Sequence, residues 1–302
     1  MKKLLKKIIP KTIIYKYKLY KESLKSKMND KQRREHISNK YYEVYNKVLN
    51  WNDPKTYSEK MNVSKYLNSN NIKTKLTDKY EVREWIKEKV GEEYLIPIIG
   101  VYNSFEEINF NELPNQFVIK CSHDSGSVTI VNDKNNIDYK KLANDYNFYM
   151  KRNLAFEEFE MHYLDIKPRI IIEKYMGNAL RDYKFLCFGG KSYFVWVDFD
   201  RFDNHKRNVY DMNWNLQRWN QRDYGNYEKE VLPPTCFEEM KRIVDVLAKD
   251  FDHVRVDLYD IDGKVYFGEM TFTNGSGLEP ITPSEYDLKL GELWNLDINN
   301  KE

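Results

Sequence analysis

A lysine stands between an apolar run and a small polar loop in residues 117–131. Residues 117–121 and 128–131 are rich in apolar and β-branched side chains, and the loop of residues 122–127 holds three serines and Gly126. Backbone N–H groups and hydroxyls in such loops bind anions, and Lys120 adds a point charge. The segment predicts either a clamp on a polyphosphate or a plain β-hairpin with a solvated lysine at its tip.

A second charged group lies near the carboxyl end of the chain. Arg255 and Asp257 are two residues apart in a predicted strand, so their side chains share one face. In a hairpin with the next strand, Glu269 comes opposite Asp257. Two carboxylates on a mostly buried face repel each other unless a cation lies between them, and Mg²⁺ prefers such oxygen ligands together with phosphates. The pattern predicts a Mg²⁺ site; an exposed acidic hairpin is the alternative, which the apolar neighbours Val256 and Phe267 weaken.

Two further motifs suggest chemistry less specifically. Residues 188–192 end like a Walker A loop, but Phe185 stands where that motif has glycine, and the motif joins a strand to a helix. We interpret Gly189 and Gly190 as a hairpin turn. Asp198 and Asp200 form the Asp-x-Asp pattern of nucleotide-sugar glycosyltransferases, which is short enough to arise by chance.

The positive charge of the chain is concentrated in its first residues. Residues 1–28 hold ten lysines and one acid, Glu22, so this segment is +9; because the whole chain is +2, the remaining 274 residues carry −7. The larger part of the chain therefore has no general affinity for polyanions, and we expect no nucleic-acid partner.

The basic segment also has apolar residues at helical spacing. Such an arm is typical of a helix that lies on an anionic membrane surface or of one that covers a core with a solvated lysine face. No apolar run is long enough to span a membrane, and the first ten residues are too interrupted for a signal peptide. We predict a cytoplasmic protein, peripheral at the inner membrane face if the arm binds lipid. The apolar residues of the arm are Leu4, Leu5, Ile8, Ile9, Ile13, Ile14 and Tyr17.

Hydrophobic patterning predicts the elements that must position these groups. Asp78 and Glu81 have the spacing of a capping box, which places Lys79 in a first helical turn, and this helix ends near Gly91. Residues 203–230 are polar and aromatic and predict a long surface excursion. Other helices are predicted at 36–50, 57–66, 136–163 and 237–251, and strands at 95–102, 117–121, 128–131, 168–176, 183–188, 192–199, 253–259 and 264–269.

The order of four motifs along the chain resembles that of the ATP-grasp superfamily. The residues within these motifs resemble those of its TupA-like branch, which is named for teichuronopeptide biosynthesis. The motifs are residues 77–83, 118–123, 183–185 and 267–271. The resemblance covers residues 50–295 and implies an α+β fold, in which two α+β subdomains clasp ATP. We expect a basic helical arm (1–50), an N-terminal subdomain (51–115), a lid subdomain (116–178) and an ATP- and Mg²⁺-binding subdomain (179–302).

The resemblance implies a role for each matching residue. Arg255 would stabilise the reacting carboxylate or the tetrahedral intermediate, and Asp257 and Glu269 would bind Mg²⁺. ATP-grasp enzymes usually place asparagine two residues after this glutamate; here Thr271 stands there, so Thr271 and Asn274 remain alternatives for the third ligand. The implied nucleotide contacts are Lys79, Lys120 and Lys184 on the phosphates, Ser122, Ser125, Gly126 and Ser127 in the covering loop, Glu173, Lys174, Tyr175 and Met176 at the adenine, and Asp182 near the ribose.

The resemblance also implies an activity. ATP-grasp ligases activate a carboxylate as an acyl-phosphate, which an amine then attacks, and this branch suggests an amino acid or amine joined to a uronic acid of a cell-surface polysaccharide. A lipid-linked glycan would suit an arm at the membrane. Alternatives are a nucleotide-sugar glycosyltransferase that uses Asp198 and Asp200, and a nucleotide-binding accessory protein without turnover, which the Thr271 departure leaves open. Candidate contacts to the acceptor, or else parts of a covering loop, are His205, Arg207, Trp214 and Arg222.

Overall fold

The computed structural model describes residues 10–177, 181–199, 205–222 and 224–297. The helices are α1 (Lys11–Ser26), α2 (Asp30–Tyr45), α3 (Tyr57–Leu67), α4 (Asn71–Thr77), α5 (Val82–Lys89), α6 (Tyr139–Tyr149), α7 (Ala155–Glu158), α8 (Phe237–Ala248) and α9 (Glu285–Leu293). The strands are β1 (Ile98–Tyr102), β2 (Phe117–Cys121), β3 (Val128–Val131), β4 (Ile170–Lys174), β5 (Arg181–Phe188), β6 (Lys191–Phe199), β7 (Lys206–Asp211), β8 (Asn220–Gln221), β9 (His253–Ile261), β10 (Lys264–Thr271) and β11 (Ile281–Thr282). Helices and antiparallel sheets are combined, which confirms the α+β class.

The chain divides into two compact units that each combine separate segments. The first unit is Met1–His36 with Pro97–Tyr175, and the second is Ile37–Ile96 with Met176–Glu302. The predicted division at residues 50, 115 and 178 stays a prediction. None of the helices in the described ranges has the length and apolarity that crossing a bilayer requires.

The first unit is built on a four-stranded antiparallel sheet in the order β1-β4-β2-β3. Its core joins Ile119 and Ile172 of the sheet to Leu142 and Tyr146 of α6. The predicted hairpin is present, because β2 and β3 pair directly. The prediction of a buried strand at 95–102 is wrong in extent and burial: β1 begins at Ile98 and alternates half-buried and exposed residues, since an edge strand has one neighbour.

Helix α1 packs on the first unit. The ring of Tyr15 stacks on Phe148 at 3.9 Å between centroids, and its hydroxyl donates to Asp145 at 2.6 Å. Glu22, although acidic, is buried because it accepts a hydrogen bond from Arg152. Residues 11–26 of the predicted arm therefore cover a core. Its earlier apolar residues, Leu4, Leu5, Ile8 and Ile9, lie outside the described residues.

The second unit is built on a five-stranded antiparallel sheet in the order β10-β9-β5-β6-β7. One sheet face is apolar and packs on α8, with Phe185, Val256 and Ile243 in one core cluster. Side chains alternate between faces along a strand, so Asp182 and Lys184 point to the other face. Farther along β5, Leu186 and Phe188 continue that second face and pack with residues of α3 and α9. One end of this face is thus apolar and covered, and the other is charged.

The expectation of a surface excursion at 203–230 is wrong for its first part. Residues Lys206–Asp211 form β7, an edge strand of the main sheet with four consecutive buried residues. Its polar side chains are buried because each has partners: Arg207 pairs with Asp198, and Asn208 contacts Tyr210 and the backbone of Tyr227. Hydropathy alone does not reveal such pairing.

The helix expected to begin beside Lys79 begins later, at Val82. The Asp78 carboxylate accepts hydrogen bonds from the backbone N–H groups of Tyr80 and Glu81, at 2.8 and 3.4 Å. These bonds close a turn, as aspartate side chains do, so Lys79 lies in that turn instead of the first helical turn. The helix ends at Lys89, close to the predicted end.

Candidate active site

Three charged residues align across adjacent strands on the charged end of the second sheet face. Lys184 on β5 is opposite Asp257 on β9, and Asp257 is opposite Glu269 on β10. Arg255, two residues from Asp257, is opposite Thr271. The predicted pairing of Asp257 with Glu269 is confirmed.

A β-bulge turns Glu269 onto this face. Phe267 belongs to the apolar core, and in a regular strand Glu269, two residues later, would point to the same side. The register of β9 and β10 shifts between Phe267 and Glu269, which inserts Gly268 as an extra residue and re-aims the side chains that follow. Sequence reasoning assigned Gly268 no role. The pattern that indicates the bulge is an apolar and an acidic residue, Phe267 and Glu269, two positions apart in one strand.

A buried ion network joins these side chains. Arg255 holds Asp257 in a two-point fork, with Nε–Oδ1 at 2.6 Å and Nη2–Oδ2 at 2.7 Å. The same Nη2 lies 2.8 Å from Glu269 Oε1. Lys184 Nζ lies 2.5 Å from Asp182 Oδ2 and 2.6 Å from Asp257 Oδ2. Two cations, Arg255 and Lys184, thus hold three carboxylates.

Neighbouring charges keep Glu269 and Arg255 ionised in spite of their burial. Burial raises the pKa of Glu269, but the charges of Arg255, Lys79 and Lys184 outweigh it and lower this pKa to about 2. Burial disfavours the Arg255 cation, yet Asp257 and Glu269 raise its pKa. Burial also raises the pKa of Asp257, against the opposing effect of Arg255. Lys79 is therefore electrostatically part of this cluster, although it lies in a turn.

Asn274 is oriented toward the same cluster by two residues that our sequence reasoning missed. Its Oδ1 lies 3.4 Å from Arg255 Nη1, while its Nδ2 donates to the Tyr57 hydroxyl at 2.6 Å. His253 Nδ1 donates to the Cys187 carbonyl, so Nε2 accepts from Tyr57 at 3.2 Å. Burial lowers the pKa of His253 to about 4, in keeping with a neutral ring. Neither residue type nor spacing links Tyr57 to Asn274 in the sequence.

Oxygen atoms of the kind that Mg²⁺ takes surround Arg255. The Thr271 hydroxyl lies 3.0 Å from Arg255 Nη2 and 3.1 Å from Glu269 Oε1, so two carboxylates, a hydroxyl and an amide oxygen converge on the Arg255 guanidinium. All four are the hard oxygen donors that Mg²⁺ takes. Within the described ranges, no three acidic, histidine or cysteine side chains form a metal cage. A Mg²⁺ ion here would therefore take its remaining ligands from a nucleotide or water.

In the first unit, two of the predicted nucleotide contacts pair with each other. Lys120 Nζ on β2 lies 2.7 Å from Glu173 Oε2 on β4, and both side chains are largely buried. This pair satisfies the buried ammonium and limits how freely either residue moves. Lys174, next on β4, is exposed and its N–H donates to the Pro97 carbonyl; Tyr175 and Met176 are half-buried.

The predicted phosphate loop divides into tied and exposed residues. Ser122 and Ser127 are buried; the Ser127 hydroxyl accepts from the Cys121 N–H at 3.0 Å and donates to Asp124. The Ser127 hydroxyl thus holds the loop to its own hairpin, whereas the Ser122 hydroxyl donates to the Lys167 carbonyl outside it, at 3.4 Å. Ser125 and Gly126 are exposed at the tip, where Gly126 has φ +93°.

The structure brings three of the four acceptor candidates, His205, Arg207 and Arg222, together around the ring of Tyr224, and the fourth, Trp214, lies apart from them. Arg207 donates two hydrogen bonds to the buried Asp198 carboxylate, from Nε to Oδ1 at 2.6 Å and from Nη2 to Oδ2 at 3.0 Å. His205 Nε2 lies 3.1 Å from the same carboxylate. Trp214 packs instead against Phe237 of α8, and the exposed Arg222 pairs with Glu279. Arg207 and His205 both contact the Asp198 carboxylate; Asp200 lies outside the described residues.

Comparisons with known proteins identify a family. The model of the TupA-like ATP-grasp family matches residues 59–295. None of the curated proteins compared with the chain matches it. Solved structures similar to the chain include D-alanine–D-alanine ligase from Bacillus anthracis in complex with ATP, at 20% identity and a TM-score of 0.42, covering 68% of this chain and 58% of that one. The L-amino acid ligase from Bacillus licheniformis has 15% identity and a TM-score of 0.42, covering 77% of this chain and 51% of that one. The chain thus spans between half and three fifths of these proteins.

Proposed function

The chain belongs to the TupA-like ATP-grasp family, and from this premise we propose that it is an ATP- and Mg²⁺-dependent carboxylate–amine ligase. The observation that supports this most is the alignment of Lys184, Asp257 and Glu269 across three strands, with Arg255 beside them. It supports the proposal because cations of the kind that bind phosphate and carboxylate groups lie next to oxygen atoms of the kind that bind Mg²⁺.

In the second unit we assign each role to a described side chain. Lys184 and Lys79 bind phosphate oxygens; Asp182, at 2.5 Å, positions Lys184. Mg²⁺, when bound, neutralises phosphate charge and would be held by Asp257 and Glu269, with Asn274 or Thr271 as the third protein ligand. Arg255 binds the substrate carboxylate and stabilises negative charge as it develops. In the first unit we assign nucleotide contacts to Lys120, to the exposed loop tip, and to Glu173 and residues 174–176.

The reaction transfers a phosphoryl group and then an acyl group. The substrate carboxylate oxygen attacks the γ-phosphorus of ATP and ADP leaves. The amine nitrogen then attacks the acyl carbon, phosphate leaves, and the nitrogen loses a proton. Such chemistry depends mainly on positioning and charge neutralisation, which a preorganised ion network provides.

We further propose, on the resemblance to the teichuronopeptide branch, that the substrates are an amino acid or amine and a uronic acid of a cell-surface polysaccharide, carried on a glycan or lipid-linked glycan. The direct test is ADP release from ATP in a matrix of uronic acids and amino acids. We expect release over many turnovers only when Mg²⁺, a carboxylate and an amine are all present, because the acyl-phosphate must be consumed before the next ATP reacts. Sustained release without any amine, or none across the matrix, would argue against ligation of these substrates.

A thermal-shift comparison tests the nucleotide separately. We expect Mg²⁺·ATP to raise the melting temperature and UDP-sugars to leave it unchanged. Glu269→Gln should abolish the shift, whereas Glu285→Gln, an exposed glutamate on α9, should retain it. A shift with UDP-sugars alone would support a glycosyltransferase. A shift with ATP but no turnover would support a nucleotide-binding accessory protein.

A further inference from the structure

Helix α1 has two different faces, one packed and one exposed. The packed face contains Tyr15, stacked on Phe148, and Glu22, bound to Arg152. The opposite side presents four apolar residues with exposed fractions between 45% and 60%. We call these four the α1 stripe: Ile13, Tyr17, Tyr20 and Leu24.

The spacing of the α1 stripe is that of one continuous helical face. Its members follow at intervals of four, three and four residues, which align on one side of a helix with 3.6 residues per turn. Tyr15 and Glu22 supply contacts between α1 and the rest of the first unit, so the stripe is not needed to pack the helix there. A row of exposed apolar side chains marks an interaction surface.

The charges beside the stripe indicate what it contacts. Lys16 and Lys21 lie on either side of it and Lys18 farther around, and all three are exposed. Glu22 is the single acid of α1 and is buried, so the exposed part of this helix is wholly basic. The sequence directly before α1 adds Lys2, Lys3, Lys6 and Lys7. Apolar side chains flanked by lysines complement a lipid surface with anionic headgroups.

We propose that the α1 stripe and its flanking lysines bind the surface of an anionic lipid bilayer. Leu24 and Ile13 enter the acyl boundary, the two tyrosines occupy the headgroup level as amphipathic rings do, and the lysines contact lipid phosphates. The proposal concerns the first unit and does not depend on ligase activity. Residues 11–26 thereby combine the two expectations for the basic arm, since one face covers a core and the other binds lipid.

A second copy of the chain fits the stripe less well. A stable protein interface usually buries about 800 Å² per partner, whereas one sixteen-residue helix presents a single row of four apolar side chains. A two-fold dimer through α1 would also place lysines of one copy against lysines of the other, which costs electrostatic energy.

Vesicle co-sedimentation of the full chain tests the proposal. We expect binding to phosphatidylcholine vesicles that contain about 30% phosphatidylglycerol, little binding to pure phosphatidylcholine, and weaker binding at high salt. The double variants Ile13→Ser/Leu24→Ser and Lys16→Glu/Lys21→Glu should each weaken partitioning by roughly tenfold or more. Because all four residues are exposed, the thermal melting profile should stay unchanged.

Matched controls alter equivalent residues elsewhere. Val48→Ser/Leu232→Ser replaces two apolar residues that are 82% and 72% exposed, and Lys191→Glu/Lys229→Glu reverses two exposed lysines; both should bind like the parent. Absence of binding, equal binding to neutral vesicles, or unchanged binding by Ile13→Ser/Leu24→Ser would overturn the proposal. A concentration-dependent dimer that this variant abolishes, without vesicle binding, would assign the stripe to a second copy instead.

Discussion

The backbone of Gly268 runs against the carbonyl oxygen of Asp257, and a Cβ at this glycine would lie 2.9 Å from that oxygen. The ring of Tyr259 would be 3.1 Å away on the same side. The close approach belongs to the bulge that turns Glu269 onto the face of Asp257 and Arg255. The orientation of Glu269, one proposed metal ligand, thus depends on a glycine that can approach Asp257, the other proposed ligand, because it has no side chain.

Gly268→Ala should therefore affect both stability and the site. The added methyl group forces β9 and β10 apart, which we expect to cost about 1–3 kcal/mol of unfolding free energy, and the displaced Glu269 should lose most of the stabilisation by Mg²⁺·ATP. Denaturant unfolding and thermal shift measure the two effects. Gly189→Ala is the control: Gly189 has φ +53° with open space around it, so it should lose about 1 kcal/mol and keep the nucleotide response. A normal response in Gly268→Ala would contradict this role of the bulge.

The sequence predicted the charged residues of the site better than the features that position them. Arg255 and Asp257 were placed together by the two-residue period of a strand, and that period needs no tertiary information. The same period would send Glu269 to the wrong face, because the bulge at Gly268 depends on how two strands pair. Tyr57 and Asn274 meet only after folding, across more than two hundred residues. Strand β7 was missed for a similar reason, because the pairing of Arg207 with Asp198 allows this polar segment to be buried.

Tyr57→Phe tests whether the orientation of Asn274 matters for the metal. The variant leaves the Asn274 amide and His253 Nε2 without the hydroxyl that both now contact, which should cost about 1–3 kcal/mol in stability. If Asn274 supplies a Mg²⁺ ligand, the Mg²⁺ concentration for half-maximal ADP release should rise by about tenfold. The readout that separates this from a stability effect is direct Mg²⁺ titration of the ATP-induced thermal shift.

Tyr146→Phe is the control for that variant. Tyr146 is also buried, and its hydroxyl donates to the Ile119 carbonyl in the first unit. It should lose similar stability with an unchanged Mg²⁺ requirement. An unchanged requirement in Tyr57→Phe as well would assign the third ligand to Thr271 or to water.

Lys120→Met tests the nucleotide contact proposed for the first unit. Lys120 is now paired with the buried Glu173, so its loss removes one cationic partner of that carboxylate, which we expect to cost a few kcal/mol. The apparent affinity for ATP should fall by at least tenfold, because a phosphate loses a point charge. Isothermal titration with Mg²⁺·ATP measures this. Lys140→Met, an exposed lysine of the same unit, should bind ATP normally; an unchanged affinity in Lys120→Met would restrict Lys120 to holding Glu173.

Asp198 should make stability depend on pH in the acid range. Burial raises its pKa, but the Arg207 fork outweighs burial, so its pKa lies below the ordinary value of 3.8 in the folded protein. The unfolded state then binds the proton first, and the stability from this pair is present above about pH 4 and lost as the pH falls further. We expect Asp198→Asn to be less stable by about 3 kcal/mol at neutral pH and to lose less on acidification.

Urea unfolding at several pH values between neutral and strongly acid checks that slope. The control is Asp262→Asn, an exposed turn residue, which should follow the parent. Parallel slopes for Asp198→Asn and the parent would show that the pair does not set the acid dependence.

Glu22→Gln should loosen α1 without unfolding the second unit. Glu22 accepts from Arg152 Nε at 2.9 Å and from the Asn153 N–H at 3.3 Å, and the Arg152 side chain is only 7% exposed. Without the negative charge of Glu22, the buried guanidinium keeps the half-exposed Glu157 as a charged partner, and we expect a cost of about 1–3 kcal/mol. Amide hydrogen exchange in Lys11–Ser26 should therefore accelerate about tenfold or more, while exchange in Phe237–Ala248 stays unchanged.

The control is Glu35→Gln, an exposed residue of α2, which should leave hydrogen exchange in both helices unchanged. Equal exchange of α1 in the parent and in Glu22→Gln would mean that the stacking of Tyr15 on Phe148, and not the ion pair, holds this helix to the first unit.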